Sequence, residues 1–463
     1  MRHKARAAAI GGAGVGAAAL GWKLWSQANI RRKNRRLARG RKIVILGAGF
    51  AGLNAAQELA RLLPGRQDCE ITLVDQNNFL LFTPMLSEVA GGELDPRHIV
   101  APPRRLSHRI DFAQGKVLEI DLAKRSVSLE VDPSTGAQRN LDADHLVIAL
   151  GSSPNFHGVP GAEEHALTVK SVGDAIAIRN RVLASLERAS WEPDAGTRRE
   201  ILTFVVGGGG FTGVETAAAV NDLARESAKY YPVLSTDDIA AYLLTPEERL
   251  LPELDVDLAS FAQKKLEQRG VTVLLKTKIA RAGRDFVEAE SGRRLEARTL
   301  IWAGGVRPNP AVEKLDCQRG RHGGITVDRT CAVPGHPGVW AIGDCAEIPQ
   351  PDGKGTYAPT AQNGTREGEL VARNIAAVLR GEEPKPFDFE AVGEMALVGR
   401  HAGVGEIYGV QFSGIVAWAL WRAVYLSKMP GAAQRSRIAL DWILDFIFGR
   451  NIAEIPVDHS VIT

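Results

Sequence analysis

Residues Lys42 to Asp75, KIVILGAGFAGLNAAQELARLLPGRQDCEITLVD, leave few folds open to the chain. An apolar strand, Ile43 to Leu46, runs into Gly47, Gly49 and Gly52 in the pattern G-x-G-x-x-G. Helical spacing follows through Leu53, Ala56, Leu59 and Leu63, and a second apolar run, Ile71 to Val74, ends on Asp75. This is the βαβ unit that seats a dinucleotide pyrophosphate. Gly47 allows the tight turn, Gly49 lets the backbone approach the phosphates without a Cβ, and Gly52 lets the helix pack closely on the strand. The helix N-terminus then faces the anion, and Asp75 can accept the hydroxyls of a ribose.

The pattern returns once. Ile201 to Val206 reads as a buried strand, and GGGGFTGVETAAAV places Gly208, Gly210 and Gly213 ahead of a helix from Val214. Two such units imply an α/β chain with two Rossmann-like dinucleotide-binding domains and two bound dinucleotides. The second unit is irregular, because its second strand, Ile239 to Leu244, ends in Thr245-Pro246-Glu247-Glu248 rather than on an acid. Without a carboxylate at the tip nothing there repels a 2′-phosphate, yet no arginine stands ready for one before Arg249. NADH is the expected second dinucleotide and NADPH the alternative.

Charge and cysteine usage narrow the class. The net charge of +3 hides an asymmetry, since the first acidic residue is Glu58 and lysine and arginine are dense before it. The basic character belongs to one terminus, which gives no case for a nucleic-acid-binding core and suits anionic phospholipid better. The four cysteines, Cys69, Cys317, Cys331 and Cys345, include no C-x-x-C pair. A disulfide framework, a zinc site and an iron–sulfur site are therefore not expected.

The remaining segments fall into order around these two units. Residues 1–41 form a basic leader, with an apolar run from Ala5 to Trp25 that suits a spanning or interfacial anchor, a cleaved presequence or a disordered leader. If it spans, the positive charge after it places the body of the protein on the cytoplasmic side. Asn77 to Leu106 reads as a long loop with one short helix. Phe112 to Val131 reads as a small antiparallel insert, and the strand Leu146 to Leu150 ends on Gly151. Two further strands end near a nucleotide: Thr299 onward into Gly304-Gly305, and Val339 to Ile342 into Gly343-Asp344. FSGIVAWALWRAVYLSKM and RIALDWILDFIFG read as two amphipathic helices parted by Pro430-Gly431. Their tryptophans beside Arg422, Lys428, Arg435 and Arg437 are the composition of a membrane-interfacial segment, with Asp441 and Asp445 turned from the lipid. The implied division is 42–170 and 316–390 for the first dinucleotide domain, 171–315 for the second, and 391–463 for a membrane-associating region.

From residue 42 to about 450 the chain resembles the type II NADH dehydrogenases. The resemblance is carried by GAGFAGL, FTPMLSEVAGGELDP, HLVIALGS, VVGGGGFTGVE, IWAGGVRP, AIGDCAEI, PTAQNGTREG and FSGIVAWALWRAVYL, in that order. It implies FAD at the first unit, NADH at the second and a membrane quinone as acceptor, reduced without proton pumping. Gly47, Gly49, Gly52, Asp75 and Asp344 would then hold FAD, and Gly208, Gly210 and Gly213 the NADH pyrophosphate; Gly151 and Gly305, at the ends of strands, are further cofactor-binding candidates. Glu215 matches the glutamate beside the nicotinamide, Gln362 falls in the Ala-Gln pair under flavin and quinone, and Glu367 is a candidate proton donor to the quinone. Glu367 and Thr365 depart from the glutamine and the small apolar residue of many members. The expected location is the cytoplasmic face of the inner or plasma membrane, and a homodimer is left open. Two other classes compete: a soluble NAD(P)H-dependent flavin reductase of a protein acceptor such as ferredoxin, and a flavin redox sensor of low turnover.

Overall fold

The computed structural model describes residues 40–454 except 64 and 66–68. The expected leader over 1–41 therefore lies almost wholly outside the described residues. The described chain divides into two compact units: residues up to 78, 107–151 and 311–389 form the first, and 79–106, 152–310 and 390 onward the second.

The chain begins in the first unit as β1 (Arg41–Leu46), α1 (Phe50–Leu62) and β2 (Cys69–Asp75), and lends α2 (Leu86–Ala90) to the second. It returns with β3 (Asp111–Gln114) and β4 (His145–Ile148). Most of the second unit follows: β5 (Ala166–Thr168), α3 (Val172–Trp191), β6 (Thr203–Gly207), α4 (Phe211–Ala228), β7 (Ala240–Leu244), α5 (Val256–Gln268), β8 (Val271–Leu274) and β9 (Thr299–Trp302). β10 (Val339–Ala341) and α6 (Ala361–Leu379) complete the first. The chain ends in the second with β11 (Gly393–Leu397), β12 (Gly403–Ile407), β13 (Val410–Ser413), α7 (Gly414–Lys428) and α8 (Ala432–Phe448).

Each unit is built on a five-stranded parallel sheet of the same plan. The first has the order β10-β4-β1-β2-β3 and the second β5-β9-β6-β7-β8. In register, Ile43 faces Ile71 on one side and His145 on the other; Val205 faces Tyr242 and Leu300. The strand order reverses at β1 and at β6, so each sheet has a switch point beside the strand that carries its glycine turn, where α/β sheets bind ligands. Residues 43 to 46 and the whole of β6 and β9 are buried, as strands covered on both faces must be. In the first unit α6 lies so close on α1 that a Cβ on Gly368 would collide with the Ala51 carbonyl.

Three segments differ from their expected form. The stretch from Phe112 opens not in the antiparallel insert but as β3, which joins the first sheet parallel to β2; the insert begins at Lys116 and has three strands. The segment 79–106 packs with the second unit rather than with 42–170, because the apolar residues of α2 meet α3 and α4. The same unit takes in residues 152–170 through β5, which pairs with β9.

The terminal helices form where expected, α7 ending at Lys428 and α8 beginning after Gly431. In α8 the buried residues Gln434, Ile438, Trp442 and Asp445 follow helical spacing, while Ile443, Leu444, Phe446 and Ile447 are exposed. Asp441 and Asp445 both turn inward: Asp441 lies 2.6 Å from His98 Nδ1, and Asp445 pairs with Arg400 at 3.3 Å. Among the described residues no helix is long and apolar enough to cross a membrane.

Candidate active site

Two cradles repeat one geometry, one in each unit. Gly47 and Gly208 have φ of +105° and +124°, and a side chain on either would collide with a carbonyl of the neighbouring strand end, Ala149 or Ala303. Only glycine satisfies both constraints. Gly52 and Gly213 play the second part, since a Cβ there would strike the carbonyl of Gly47 or Gly208. Beyond Gly49 and Gly210, the N-caps of α1 and α4, there is open space. The first-turn N–H groups of a helix lack intrahelical acceptors and point out of its N-terminus. The chemistry of both cradles thus fits a pyrophosphate, and two of them fit FAD and a pyridine dinucleotide.

In the first unit Asp75 stands at the tip of β2 and braces the turn. Its Oδ2 accepts from the Ala48 N–H at 2.7 Å and its Oδ1 from Asn77 N–H at 2.8 Å. Burial raises its pKa from the ordinary value against these two bonds. Gly151, at φ +69°, ends the segment after β4 with open space at its Cα. Asp344 lies on the short turn Gly343–Cys345 after β10. Glu367, in the second turn of α6, is 4% exposed and accepts the Gly343 N–H at 2.6 Å. It is thus no solvated helix carboxylate but a brace for the turn carrying Asp344. Burial, with Asp344 adding, lifts its pKa to about 7, and the Gly343 bond opposes the rise. Gln362 sits in the first turn of α6, which Thr360 caps by accepting from Asn363 N–H at 3.1 Å. Cys345, wholly buried against the Ile148 and Ile342 carbonyls, has a thiol pushed up to about 12 by burial and is inert as a nucleophile. All four cysteines are free thiols.

In the second unit the tip of β7 is Thr245, 1% exposed, and the first acid beyond it, Glu247, is exposed. Gly305, at φ +109°, forms a corner tied to the 155–157 turn: the Asn155 N–H donates to its carbonyl at 3.0 Å, and the Trp302 indole N–H donates to the Asn155 carbonyl at 2.8 Å.

Glu215, on the first turns of α4, is held by groups far away in sequence. Leu397 N–H donates to Oε1 at 3.0 Å and Ser87 Oγ to Oε2 at 3.4 Å. Burial pushes its pKa up to about 8 against these bonds. Neither partner was identifiable in the sequence; Ser87 lies in the FTPMLSEVA motif, but nothing local pairs it with Glu215.

Beside this carboxyl is a buried ionic cluster that sequence reasoning missed. Arg422 Nη2 reaches Glu88 Oε1 at 3.1 Å and Glu93 Oε2 at 2.8 Å, while its guanidinium lies 4.4 Å from the Trp418 ring centre and 4.6 Å from that of Trp442. Arg450 reaches Glu93 at 2.8 Å and Glu226 at 3.2 Å and donates to the Gly91 carbonyl at 2.9 Å. A cavity of about 560 Å³, lined among others by Arg400, His401, Trp418, Arg422, Trp442 and Phe446, opens next to it.

Comparison with known proteins agrees with this geometry. The pyridine nucleotide-disulphide oxidoreductase family matches residues 41–368, and the NDH2 C-terminal domain matches residues 392–451. A type II NADH:quinone oxidoreductase of Mycobacterium tuberculosis is 30% identical over 427 residues, 89% of each chain. A probable NADH dehydrogenase of Dictyostelium discoideum is 29% identical over 435 residues, 92% of this chain and 94% of that one. In fold, the chain is similar to an NDH2 from Plasmodium falciparum solved in complex with NADH, with a TM-score of 0.82 at 20% identity, covering 90% of this chain and all of that one.

Proposed function

The chain belongs to the type II NADH dehydrogenases, membrane-associated NADH:quinone oxidoreductases that use FAD and do not pump protons, and from that premise we propose how its own residues divide the work. When bound, FAD supplies the chemistry, accepting a hydride from NADH and giving two electrons to quinone. The protein's part is to bind, orient and move protons.

Gly47, Gly49 and Gly52 with the α1 N-terminus hold the FAD pyrophosphate, Asp75 its ribose, and Gly151 and Asp344 the flavin end. Gly208, Gly210 and Gly213 with α4 hold the pyrophosphate of NADH, and Gly305 lets the backbone come close to it. The repetition of the first cradle in the second, contact for contact, carries this reading. Glu215 stands by the nicotinamide as a carboxyl kept protonated at neutral pH by burial. Gln362 orients flavin and quinone. Glu367, with a pKa of about 7, is poised to exchange a proton at working pH. Thr245 neither repels nor attracts a 2′-phosphate, so NADPH is the competing donor.

The exposed Ile443, Phe446 and Ile447 of α8 and Ile415 and Val416 of α7 form the lipid-facing surface, on the cytoplasmic side of a membrane rich in anionic phospholipid. A homodimer is compatible with this surface. Anaerobic titration with NADH and then NADPH, followed by a short-chain quinone, tests the whole assignment. NADH should bleach the flavin absorbance and quinone restore it. Restoration by ferredoxin but not by quinone would overturn it in favour of the soluble reductase, and no bleaching by either nucleotide would sink it outright.

A further inference from the structure

The cavity of about 560 Å³ lies wholly within the second unit, between α7, α8 and the turn that joins β11 to β12. α7 gives it Trp418, α8 gives it Trp442, Ile443, Phe446 and Ile447, and the turn gives it His401. Three of the rings are packed into one wall: His401 meets Trp418 edge to face with ring centres 5.1 Å apart, and Phe446 likewise at 6.2 Å.

What this space can take follows from what its wall leaves unengaged. The guanidiniums and the carboxyl in the wall are already paired: Arg422 with Glu88 and Glu93 at 3.1 and 2.8 Å, and Arg400 with Asp445 at 3.3 Å and Glu226 at 3.6 Å. A charged ligand would have to break into these pairs, which strands the displaced partner away from water. Ring faces and aliphatic side chains remain, around a volume that suits one small molecule or one chain. The rim shows from which side the occupant comes. Ile443, Phe446 and Ile447 line the cavity and are also 54%, 68% and 61% exposed, so its mouth lies on the face of α8 that is turned to lipid. The same two helices expose Ile415, Val416, Leu440 and Phe448, an apolar surface of the kind that marks a contact with a membrane or a partner. His401, also exposed, sets an imidazole at the mouth, where the polar end of an amphiphile would be left.

We propose that this cavity holds one acyl chain of a membrane phospholipid, its polar end left at the mouth beside His401, so that a bound lipid is built into the contact between the terminal helices and the bilayer. The proposal rests on the reading of α7 and α8 as the lipid-facing surface. The tail of a quinone is the competing hydrocarbon. None of the glycines of the two cradles lines the cavity, however, and neither do Glu215, Asp344, Gln362 and Glu367, so the site serves attachment rather than electron transfer.

The test uses the purified full-length holoenzyme and a lysophospholipid whose single chain carries bromine atoms, which quench tryptophan fluorescence on contact. Below its micelle-forming concentration this probe should quench saturably, at one molecule per chain, and by up to about a quarter, since Trp418 and Trp442 are two of the eight tryptophans. Ala439 lines the cavity, and Ala439→Phe, which sets a ring inside it, should weaken the binding by a factor of about ten or more. If that variant does not keep its flavin spectrum on purification, Ala439→Leu fills less of the space and should shift the binding in the same direction by a smaller factor. Quenching that never saturates, or that saturates alike in wild type and variant, would overturn the proposal, because the chain would then lie on the outer face of the helices. A polyprenyl quinone that the probe cannot displace would overturn it in favour of the quinone tail. Sedimentation with liposomes keeps the two readings apart. Wild type that sediments but shows no saturable quenching loses the lipid site and keeps the lipid-facing surface; saturable quenching without sedimentation does the reverse.

Discussion

Replacing Glu367 by glutamine should make the protein more stable at alkaline pH and leave it unchanged in acid. The carboxyl is 4% exposed and its pKa is raised from the ordinary 4.5 to about 7, with burial the main cause. A carboxyl whose folded value lies above its unfolded value contributes fully below the unfolded value. That contribution is lost as pH rises through the folded one. The window therefore runs from about pH 4.5 to about pH 7, and the loss across it is about 3 kcal/mol. Glutamine mimics the protonated acid: its carbonyl can still accept the Gly343 N–H, and it never ionises. For a unit of this size about 3 kcal/mol is roughly 6–12 °C in Tm. Differential scanning calorimetry of both proteins with FAD bound, from pH 4.5 to 8, should show coincident transitions at the acid end and a gap of that order, in favour of the variant, at pH 8. A gap that does not change with pH would refute the reasoning, because it would mean that Glu367 ionises in the folded protein as it does in water.

Two further outcomes are expected. Gly213→Ala drives a Cβ into the Gly208 carbonyl; the purified variant should keep its flavin spectrum while losing NADH binding by a factor of about 100 or more, measured by flavin bleaching. Ile443, Phe446 and Ile447 changed together to serine should free the protein from liposomes without altering its Tm beyond about 1 °C, since their side chains are more than half exposed; unchanged cosedimentation would remove α8 from the membrane contact.

What the sequence makes legible is what neighbouring residues decide. The two glycine turns, the strands that feed them and the terminal helices are local patterns of period and spacing, and they fold where their spacing places them. β5 is only three residues, Ala166–Thr168, and carries no period; it becomes a strand because β9 offers a free edge. β3 was hidden in an alternating stretch that reads equally well as hairpin or sheet edge. The surroundings of Glu215 and Glu88 were beyond reach for a related reason. Their partners lie from 128 to 354 positions away, and no local pattern encodes which distant N–H will meet a given carboxyl. Glu367 shows the limit most plainly: a helix position that spacing leaves ambiguous becomes a buried brace once Gly343 arrives beside it.

The interleaving of the two units has a consequence for how the polypeptide matures on the ribosome. β10, which borders the same sheet as β1, emerges some three hundred residues after it, once every strand of the second sheet has been made. The nascent first unit must therefore wait with an uncovered sheet edge while its sibling assembles. Arg450, which contacts Glu93, Glu226 and the Gly91 carbonyl, follows every strand of both sheets in the chain. Translation arrested just short of it should yield a chain with both glycine turns formed and Glu93 lacking one of its two guanidinium partners, the kind of species that chaperones and proteases sort.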